Sequence, residues 1–329
     1  MRNFRDSDSK VSDPLIASLV ALPYLSDEED KEVAAEGEIS VLDITKPIDR
    51  FYQVGSPIMS GGFGTVFSGE RKSDNFPVAV KYVPKDRVER MKFVNGALIP
   101  MEIYLMQKVS TGFQGVINLL DWYEQDDSFA MVMERPEQVQ DLFDYITEHR
   151  ALREDVAAKF FSQVVNAVIH CHNCGVLHND IKDENILVDL ATNQTKLIDF
   201  GSATLLHDQA YTELEGTYEY LPPEWFCFHR FHGRSAAVWT LGILLYDMLC
   251  GNVPFANQEE IVKGKIKYPI GISKGCQDMI RWCLSKKPAD RPTLEQILSH
   301  PWVSQNQLDT IKEENEPEQV ITNQRNENL

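Results

Sequence analysis

The apolar residues of this chain change their spacing once along the sequence. Between residues 51 and 133 they form the short runs and alternations of β-strands, as in "FPVAVKYV", with one helical stretch in "PMEIYLMQKV". From residue 141 onward the spacing is helical, as in "VAAKFFSQVVNAVIHCHNCG". This change predicts an α+β fold with two lobes: a small β-rich lobe that holds one main helix, and a larger, mainly helical lobe.

The segment "SAAVWTLGILLYDMLCG" is apolar nearly all round and ends at Gly251. A helix with no polar face is typical of the centre of a lobe, so we predict that this helix is buried. Both ends of the chain are polar and hold few apolar residues that would anchor them. The predicted organisation is a folded domain at 47–303, with lobes at about 47–133 and 140–303, a hinge at about 134–139, and disordered segments at 1–46 and 304–329.

Charge and length exclude several classes of protein. The 329 residues are 43% hydrophobic, which is enough for a substantial core, and the formal net charge is -18. Because a phosphate backbone attracts basic surfaces, we expect no nucleic-acid partner and an attraction to basic ligands instead. The apolar stretch "LIASLVALPYL" is about half the length that spans a bilayer, so we expect no membrane partner.

The six cysteines are too few for a disulfide framework in a chain of this length, and the start lacks a secretory pattern. We therefore predict a reducing compartment, the cytoplasm with the nucleus as an alternative, and we expect a monomer. Residues 170–174, "HCHNC", have Cys-x-x-Cys spacing with interleaved histidines. They are either a metal site or the end of a buried helix, and we favour the helix because zinc sites usually need a second pair.

The segment "MSGGFGTV" places Gly61, Gly62 and Gly64 between two strand patterns. Glycines let a backbone approach a phosphate closely, and Val66 after them is placed to cover an apolar ring. A simple hairpin turn explains the same glycines equally well. The next motif lies fifteen residues after Val66, where Lys81 ends "VAVK". Glu102, in the predicted helix, is a partner for this lysine, which is otherwise an edge lysine with its head in water.

The segment "HNDIKDENIL" carries groups suited to phosphoryl transfer. Asp180 can accept a hydroxyl proton, Lys182 can neutralise charge on a phosphate, and Asn185 offers a neutral oxygen to Mg²⁺. Nineteen residues after Asp180 comes "DFG", in which Asp199 supplies a charged metal ligand. Each motif alone has a bland explanation, but together, in this order, they indicate one phosphoryl-transfer site.

The ordered motifs resemble those of the protein kinase family across about residues 52–303. Within that family, "ERPEQVQDLFDYI", "HGRSAAVWTLGILLYDMLCG" and "PPEW" are similar to the Pim serine/threonine kinases. Ala237, before the helix tryptophan, stands where most kinases have aspartate, as in Pim kinases. The resemblance implies a bilobal protein-kinase fold, ATP and Mg²⁺ as cofactors, and protein substrates.

The resemblance also implies a role for each matching residue. The implied catalytic residues are Asp180, Lys182, Lys81 and Glu102. The implied cofactor-binding residues are Gly61, Gly62, Gly64, Val66, Ala79, Lys81, Glu134, Asp141 and Leu187. Asn185 and Asp199 are the implied metal ligands. The implied structural contacts are an ion pair of Glu224 with Arg291, a spine through Phe200, His178 and Met106, and a gatekeeper at Met133.

The hinge sequence "ERPE" has a chemical consequence. Glu134 can offer its backbone carbonyl to the adenine amine, but Pro136 has no N–H, so the second hydrogen bond of most kinases cannot form there. Alternatively, the proline only stiffens the link between the lobes. The resemblance favours a Pim-like hinge.

Acidic residues around the expected peptide groove predict basic substrates. Carboxylates at these positions would select arginine and lysine before the target hydroxyl, although a solvated acidic face is the plainer explanation. The implied substrate-binding residues are Asp141, Asp144, Asp183, Glu184, Thr217 and Asp247. Asn252 stands where the family commonly has aspartate, which predicts a weaker demand at one basic position.

Two positions depart from the usual kinase pattern. Met59 replaces the first glycine of the loop, and Asn179 replaces an arginine that in many kinases binds a phosphate on the activation segment. The segment from Asp199 to Glu224 contains no lysine or arginine. We therefore predict an enzyme that is active without phosphorylation of this segment. The alternative is a pseudokinase scaffold; a small-molecule kinase is disfavoured because the peptide-positioning "GTYEYLPPEW" is present.

Overall fold

A computed structural model describes residues 47–61, 64–94 and 96–306 of the chain. It confirms the predicted fold class, since a β-rich lobe with one main helix is followed by a mainly helical lobe. The segments predicted to be disordered lie largely outside the described residues, as does Gly62. Residues 304–306 continue a helical turn from residue 301, because Trp302 and Val303 are buried and anchor it.

The small lobe is built on one antiparallel sheet with the strand order β1-β2-β3-β7-β6. Alternation along its central strand buries Val78 and Val80 against Ala130 and Val132 on the neighbouring strand. The strands of this lobe are β1 Tyr52–Gly61, β2 Gly64–Arg71, β3 Phe76–Pro84, β4 Met91–Val94, β5 Ala97–Pro100, β6 Leu119–Glu124 and β7 Ser128–Glu134. Helix α1, Met101–Val109, packs between this sheet and the larger lobe.

One element of the small lobe was not predicted. Strands β4 and β5 form a separate two-stranded hairpin directly before α1. Phe93 and Leu98 pair across it and are both exposed. The segment lacks the alternation of a half-buried strand, so its sequence does not show the hairpin. Pro100 ends β5 and precedes the helix instead of opening it.

The larger lobe is helical, with short strands near the junction of the lobes. Its helices are α2 Leu142–His149, α3 Glu154–Asn173, α4 Pro223–Phe228, α5 Gly233–Cys250, α6 Gln258–Lys263, α7 Lys274–Cys283 and α8 Leu294–Leu298. Its strands are β8 Val139–Asp141, β9 Val176–Leu177, β10 Ile186–Asp189, β11 Thr195–Leu197 and β12 Thr204–Leu205. They pair as β11-β10-β8 and β12-β9.

Helix α5 is buried, as its uninterrupted apolar sequence predicts. It ends at Gly251, which adopts a left-handed φ of 69°, and a Cβ there would lie 2.2 Å from the carbonyl oxygen of Arg150. Only glycine fits such a position. The predicted ion pair of Glu224 with Arg291 is present, with both side chains buried and a shortest N–O distance of 2.6 Å.

The "HCHNC" segment is the end of a buried helix, as favoured. Within the described residues no group of three or more potential metal ligands is found, and the cysteines there are free thiols. His170 binds the carbonyl of Val109 through Nε2 at 2.8 Å, and Cys171 is buried. Among residues 47–61, 64–94 and 96–306, no helix is long and apolar enough to span a membrane.

Candidate active site

Lys81 lies at the centre of a buried charge cluster between the lobes. Its Nζ on β3 is 2.6 Å from Glu102 Oε1 on α1 and 3.0 Å from Asp199 Oδ1 in the "DFG" motif. The predicted contact of Lys81 with Glu102 is therefore present. Two carboxylates around one ammonium, all largely removed from water, make this cluster sensitive to the loss of any member.

Within the cluster, Lys81 and Asp199 each favour the charged form of the other. Burial favours the neutral form of Lys81, but Glu102 and Asp199 outweigh burial, and the pKa of Lys81 is raised. Burial likewise opposes ionisation of Asp199, but Lys81 outweighs it and the pKa of Asp199 is lowered. Asp199 is therefore held as a carboxylate and Lys81 as an ammonium. Asp199 also has a left-handed φ of 61°, a conformation that costs about 1 kcal/mol and must be held by its surroundings.

Asp180 lies in a network of hydrogen bonds with Asn185 of its own loop and Thr217 of the activation segment. Its Oδ1 accepts from the Thr217 hydroxyl at 2.6 Å, and its Oδ2 accepts from Asn185 Nδ2 at 2.9 Å. Lys182 Nζ lies 3.4 Å from Asp180 Oδ2 and donates to Thr217 Oγ1 at 3.0 Å. This network fixes the position of the carboxylate and brings together Asp180, Lys182, Asn185 and Thr217. Their roles in catalysis and substrate binding stay predictions.

The expected Mg²⁺ ligands suit the ion chemically. Asn185 donates its amide nitrogen to Asp180, so the amide oxygen is the atom left to offer to a cation. Asp199 is ionised and lies with Asn185 among the residues that line one cavity. One carboxylate and one amide oxygen are a typical protein contribution to a Mg²⁺ site that nucleotide phosphates complete.

A cavity of about 270 Å³ lies between the lobes. Of the predicted cofactor-binding residues, it is lined by Gly64, Val66, Ala79, Lys81, Glu134 and Leu187. Leu187 on β10 and Ala79 on β3 face it from opposite lobes. An apolar slot with charged groups at one end suits a nucleotide, whose base is flat and whose phosphates are charged.

Asp141 is not among the lining residues of this cavity. It caps helix α2, where its carboxylate accepts from Asp144 N at 2.8 Å. Burial raises the pKa of Asp141, and the backbone hydrogen bond opposes that rise. This capping contact orients one carboxylate oxygen toward the helix, and the predicted nucleotide contact of Asp141 stays a prediction.

The glycine loop has a structural reason for one of its glycines. Gly64 has a φ of 132°, and a Cβ there would lie 2.2 Å from the Tyr82 carbonyl oxygen. This position needs glycine for the approach of β2 to β3, whatever the loop binds. Gly61 ends β1, and Ile58 and Met59 line the cavity from the same strand. The predicted closeness of Gly61 to a phosphate stays a prediction.

The hinge holds Glu134 by its side chain. Oε1 of Glu134 accepts from Asn118 Nδ2 at 2.8 Å and from Lys196 Nζ at 3.1 Å. Arg135 and Pro136 line the cavity beside it, and Arg135 N donates to the Pro77 carbonyl. With that N–H engaged and none on Pro136, the hinge is short of donors for a purine.

The acidic residues of the expected groove divide into two groups. Asp144 and Glu184 are exposed, as a peptide-binding role requires. Asp183 and Asp247 are buried, with exposed fractions of 8% and 6%. The picture of these two as open carboxylates in the groove is therefore wrong for this structure. They hydrogen bond to each other, and burial beside Asp183 raises the pKa of Asp247 to about 7.

Several contacts of the site were not visible in the sequence. Tyr220 donates to Asp183 Oδ1 at 3.1 Å, and nothing in the spacing of the two residues shows it. Ile117, Val139 and Ile198 also line the cavity, and they are ordinary apolar residues of which only Val139 lies in a strand. Of these cavity residues, the sequence pointed only to Ile198, because it directly precedes the "DFG" aspartate.

The predicted spine is present at one contact. His178 and Phe200 meet edge to face at 4.8 Å between ring centroids, and His178 Nε2 lies 3.0 Å from the Ile198 carbonyl oxygen. Burial lowers the pKa of His178, so this ring is neutral and donates that hydrogen. Met106 is buried, and both Met106 and Met133 line the nucleotide-sized cavity.

Comparison with known proteins agrees with the geometry. Residues 52–303 match the family described as protein kinase domain. The chain is 46% identical over 270 residues to serine/threonine-protein kinase pim-2 of Danio rerio, which covers 79% of this chain and 87% of that protein. It is 43% identical over 261 residues to serine/threonine-protein kinase prk-2 of Caenorhabditis elegans, covering 78% of this chain and 59% of that protein. It is also 35% identical to the PAS domain-containing serine/threonine-protein kinase of Mus musculus, of which it spans 19%.

Proposed function

Since the chain belongs to the protein kinase family, in its Pim-like branch, we propose that it is an ATP- and Mg²⁺-dependent serine/threonine kinase that phosphorylates hydroxyls in basic peptide contexts and needs no phosphate on its activation segment. One observation carries this proposal. The charged groups that the reaction needs are intact and connected: Lys81 with Glu102 and Asp199, and Asp180 with Asn185. A pseudokinase scaffold would not need all of them.

The proposed roles follow from position and protonation. Asp180, held by Asn185, accepts the proton of the substrate hydroxyl. Lys182 Nζ lies 3.0 Å from the hydroxyl oxygen of Thr217. From there it is placed to neutralise charge on the phosphate being transferred. Lys81 orients the phosphates from the roof of the cavity while Glu102 keeps it charged and in place. Asn185 and Asp199 would hold Mg²⁺, which would neutralise part of the phosphate charge.

The basic-substrate part of the proposal is supported by two exposed acids. Asp144 and Glu184 are both open to solvent. Glu184 contacts Lys182 at 2.8 Å, so an incoming arginine would compete with that lysine for the carboxylate. Asn252 is exposed and uncharged, which supports a weaker demand at one position.

The phosphate-independent part is supported by the contact of Asn179. Its Nδ2 donates to the Ser202 carbonyl oxygen at 3.0 Å, where a charged arginine would await a phosphate. The residue has a left-handed φ of 66°, which asparagine tolerates better than most side chains. A neutral amide therefore holds the start of the activation segment directly.

We also propose a monomeric enzyme in a reducing compartment, with the cytoplasm as the first expectation and the nucleus as the alternative. Free thiols at the cysteines of the described residues support the reducing compartment. Light scattering of the purified chain tests the monomer, and a mass corresponding to a dimer contradicts it.

Phosphorylation of a peptide tests the proposed function. The full chain is incubated with Mg-ATP and a serine peptide rich in arginine, beside the variant Asp180→Asn. We expect the variant to lose roughly a hundredfold to a thousandfold in kcat, because a positioned base contributes that much. Asp155→Asn, at a half-exposed acid paired with Arg153, is the matched control and should keep full activity.

Three outcomes separate the alternatives. Equal rates for the wild type and Asp180→Asn would show that a contaminating kinase causes the activity. The pseudokinase alternative would then be favoured. A peptide with glutamate in place of arginine that reacts equally well contradicts the basic preference alone. Mass spectrometry of the same sample must find Thr212 and Thr217 unmodified; activity that appears only after either is phosphorylated contradicts phosphate independence.

A further inference from the structure

The backbone carbonyl groups of Gly201, in the "DFG" motif, and of Ser202, directly after it, accept hydrogen bonds from opposite lobes. The Gly201 carbonyl accepts from Arg90 Nη2 at 2.7 Å, and the Ser202 carbonyl accepts from Asn179 Nδ2 at 3.0 Å. Arg90 belongs to the segment before the β4–β5 hairpin of the small lobe, whereas Asn179 belongs to the catalytic loop. The backbone that leaves the metal-binding aspartate is therefore gripped on both sides.

Arg90 also contacts the activation segment further along and the start of helix α1. Its Nη1 lies 3.7 Å from Glu215 Oε1, and its backbone carbonyl accepts from Met101 N at 2.9 Å. Met101 is the first residue of the helix that carries Glu102. One arginine thus joins the helix of the charge cluster, the glycine after Phe200 and an acid of the segment.

The peptide that Arg90 holds is directly linked to Asp199. Gly201 N donates to Asp199 Oδ1 at 3.3 Å, while the carbonyl of the same residue receives the guanidinium. Asp199 keeps its unfavourable left-handed backbone only if its neighbours hold it. A shift of Gly201 would therefore move the carboxylate away from Lys81.

The far side of the segment leaves little room for movement. Gly216 has a φ of 94°, and a Cβ there would lie 2.3 Å from the Asn179 carbonyl oxygen. The backbone next to Glu215 is thus pressed against the catalytic loop, while Glu215 itself reaches Arg90. The backbone at Gly201, next to Asp199, and the backbone at Gly216, against the catalytic loop, are therefore both held by contacts within the unmodified chain.

We infer that Arg90 is a positioning residue for phosphoryl transfer, which together with Asn179 fixes the start of the activation segment in the place of a phosphate. The inference rests on the proposed kinase function and deepens it. Arginine suits the position because its planar fork serves a carbonyl and a carboxylate at once, which a lysine ammonium does less well. The sequence shows no such role, because position 90 lies far from each of its partners along the chain.

The test compares Arg90→Met with Arg71→Met in the full, unphosphorylated chain. Arg71 pairs with Asp74 on the surface of the same lobe, so its variant controls for the loss of an arginine. We expect Arg90→Met to lower kcat about tenfold with little change in the peptide KM, since a hydrogen bond to a charged group is worth about that factor. Arg90→Lys should recover part of the loss, and Arg71→Met should behave as the wild type.

Hydrogen exchange of backbone amides reads the segment without relying on activity. Arg90→Met, and separately Asn179→Ala, should speed exchange within residues 200–217 and leave strands β1 to β3 unchanged. Unaltered exchange in that segment, or faster exchange throughout the small lobe, overturns the inference. An inactive wild type would contradict the proposed function, but the exchange comparison would still decide the role of Arg90. If Arg90→Met does not fold, Arg90→Lys and Arg90→Gln carry the same comparison.

Discussion

Two groups of acids, one partly buried and one buried, lie close to the catalytic loop, and they are neutralised in different ways. In the first, Glu102 and Asp199 share the ammonium of Lys81. In the second, Asp183 and Asp247 face each other, and Tyr220 donates a hydroxyl hydrogen to Asp183. The first group pairs opposite charges, while the second places like groups together.

The difference teaches how burial sets protonation. Lys81 lowers the pKa of Asp199, whereas burial raises the pKa of Glu102 despite the same ammonium and raises that of Asp247, beside Asp183, to about 7. Phosphoryl transfer needs the first arrangement, because the proposed phosphate-binding Lys81 and the proposed metal ligand Asp199 act in their charged forms. The second arrangement links the stability of the loop that holds Asp183 to pH.

Removal of the Lys81 ammonium, which distinguishes the first group from the second, should have the largest effect on activity. Lys81→Met leaves Glu102 and Asp199 buried together without a positive partner, as in the second group. We expect kcat/KM to fall about a thousandfold, which corresponds to breaking a buried ion pair. Steady-state assays with Mg-ATP and the basic peptide measure the loss.

Lys85→Met is the matched control for that variant. Lys85 follows Lys81 at the end of the same strand region and pairs with Glu124 at the surface, with 35% of its side chain exposed. A partly exposed pair contributes little, so its loss should leave activity within about twofold. A comparable loss in both variants would show that charge in the small lobe, not the buried cluster, limits the rate.

Removal of the shared proton in the second group should have a smaller effect, visible in stability. Because the folded state raises the pKa of Asp247 to about 7, it binds a proton that the unfolded chain has already lost above about pH 4. Stability from this group is therefore greatest at low pH and declines as pH rises to about 7. Asp247→Asn abolishes the titration and can still donate a hydrogen bond to Asp183.

We expect the thermal midpoint of Asp247→Asn at pH 8 to exceed that of the wild type by roughly 5 °C, and the difference to vanish near pH 4. Scanning calorimetry at the two pH values measures it. Asp278→Asn, an exposed acid of α7, is the control. A variant that is less stable than the wild type at pH 8 would show that Asp247 is needed as an anion.

A third buried group, His172, extends the comparison, and its replacement should have the smallest effect on stability. His172 on α3 has neither ring nitrogen hydrogen bonded within the described structure. Burial lowers its pKa to about 4, so its protonation favours the unfolded chain. Stability from this group is complete above about pH 6.5 and is lost as pH falls toward 4, which is opposite to the slope from Asp247.

His172→Met should raise the thermal midpoint at pH 4.5 by roughly 3 °C and leave it nearly unchanged at pH 7.5. His149→Met, at an exposed histidine, should not alter the acid slope. Calorimetry across pH 4 to 8 checks both. An equal gain at both pH values would mean that improved packing, not protonation, causes the effect.

Local features of the chain predicted much of the site. Lys81 and Glu102 were expected to meet because an apolar strand leaves a lysine in need of a partner, and they are 2.6 Å apart. The end of α5 at Gly251 was readable because a left-handed residue there requires glycine. Asp180 and Asn185 lie in one loop, so their spacing alone brings them together.

Contacts across long stretches of chain were not readable in this way. The closeness of Asp183 to Asp247 depends on how the catalytic loop seats on α5, and acidic letters give no sign of burial. The helix cap that Asp141 forms with Asp144 was likewise not part of the sequence-based assignment of this residue. The β4–β5 hairpin lacks the alternation that identifies a half-buried strand.

The sequence by itself determined the family, the two-lobed architecture and the meeting of Asp180 with Asn185, because these depend on periodicity and on motifs of fixed local spacing. The tertiary structure decided which acids have shifted pKa values and which side chains hold the backbone at Gly201 and Ser202. Burial sets the first, as Asp247 shows, and the second needs Arg90 and Gly201 to meet although 111 positions separate them. Both depend on distances in space, which sequence order does not record.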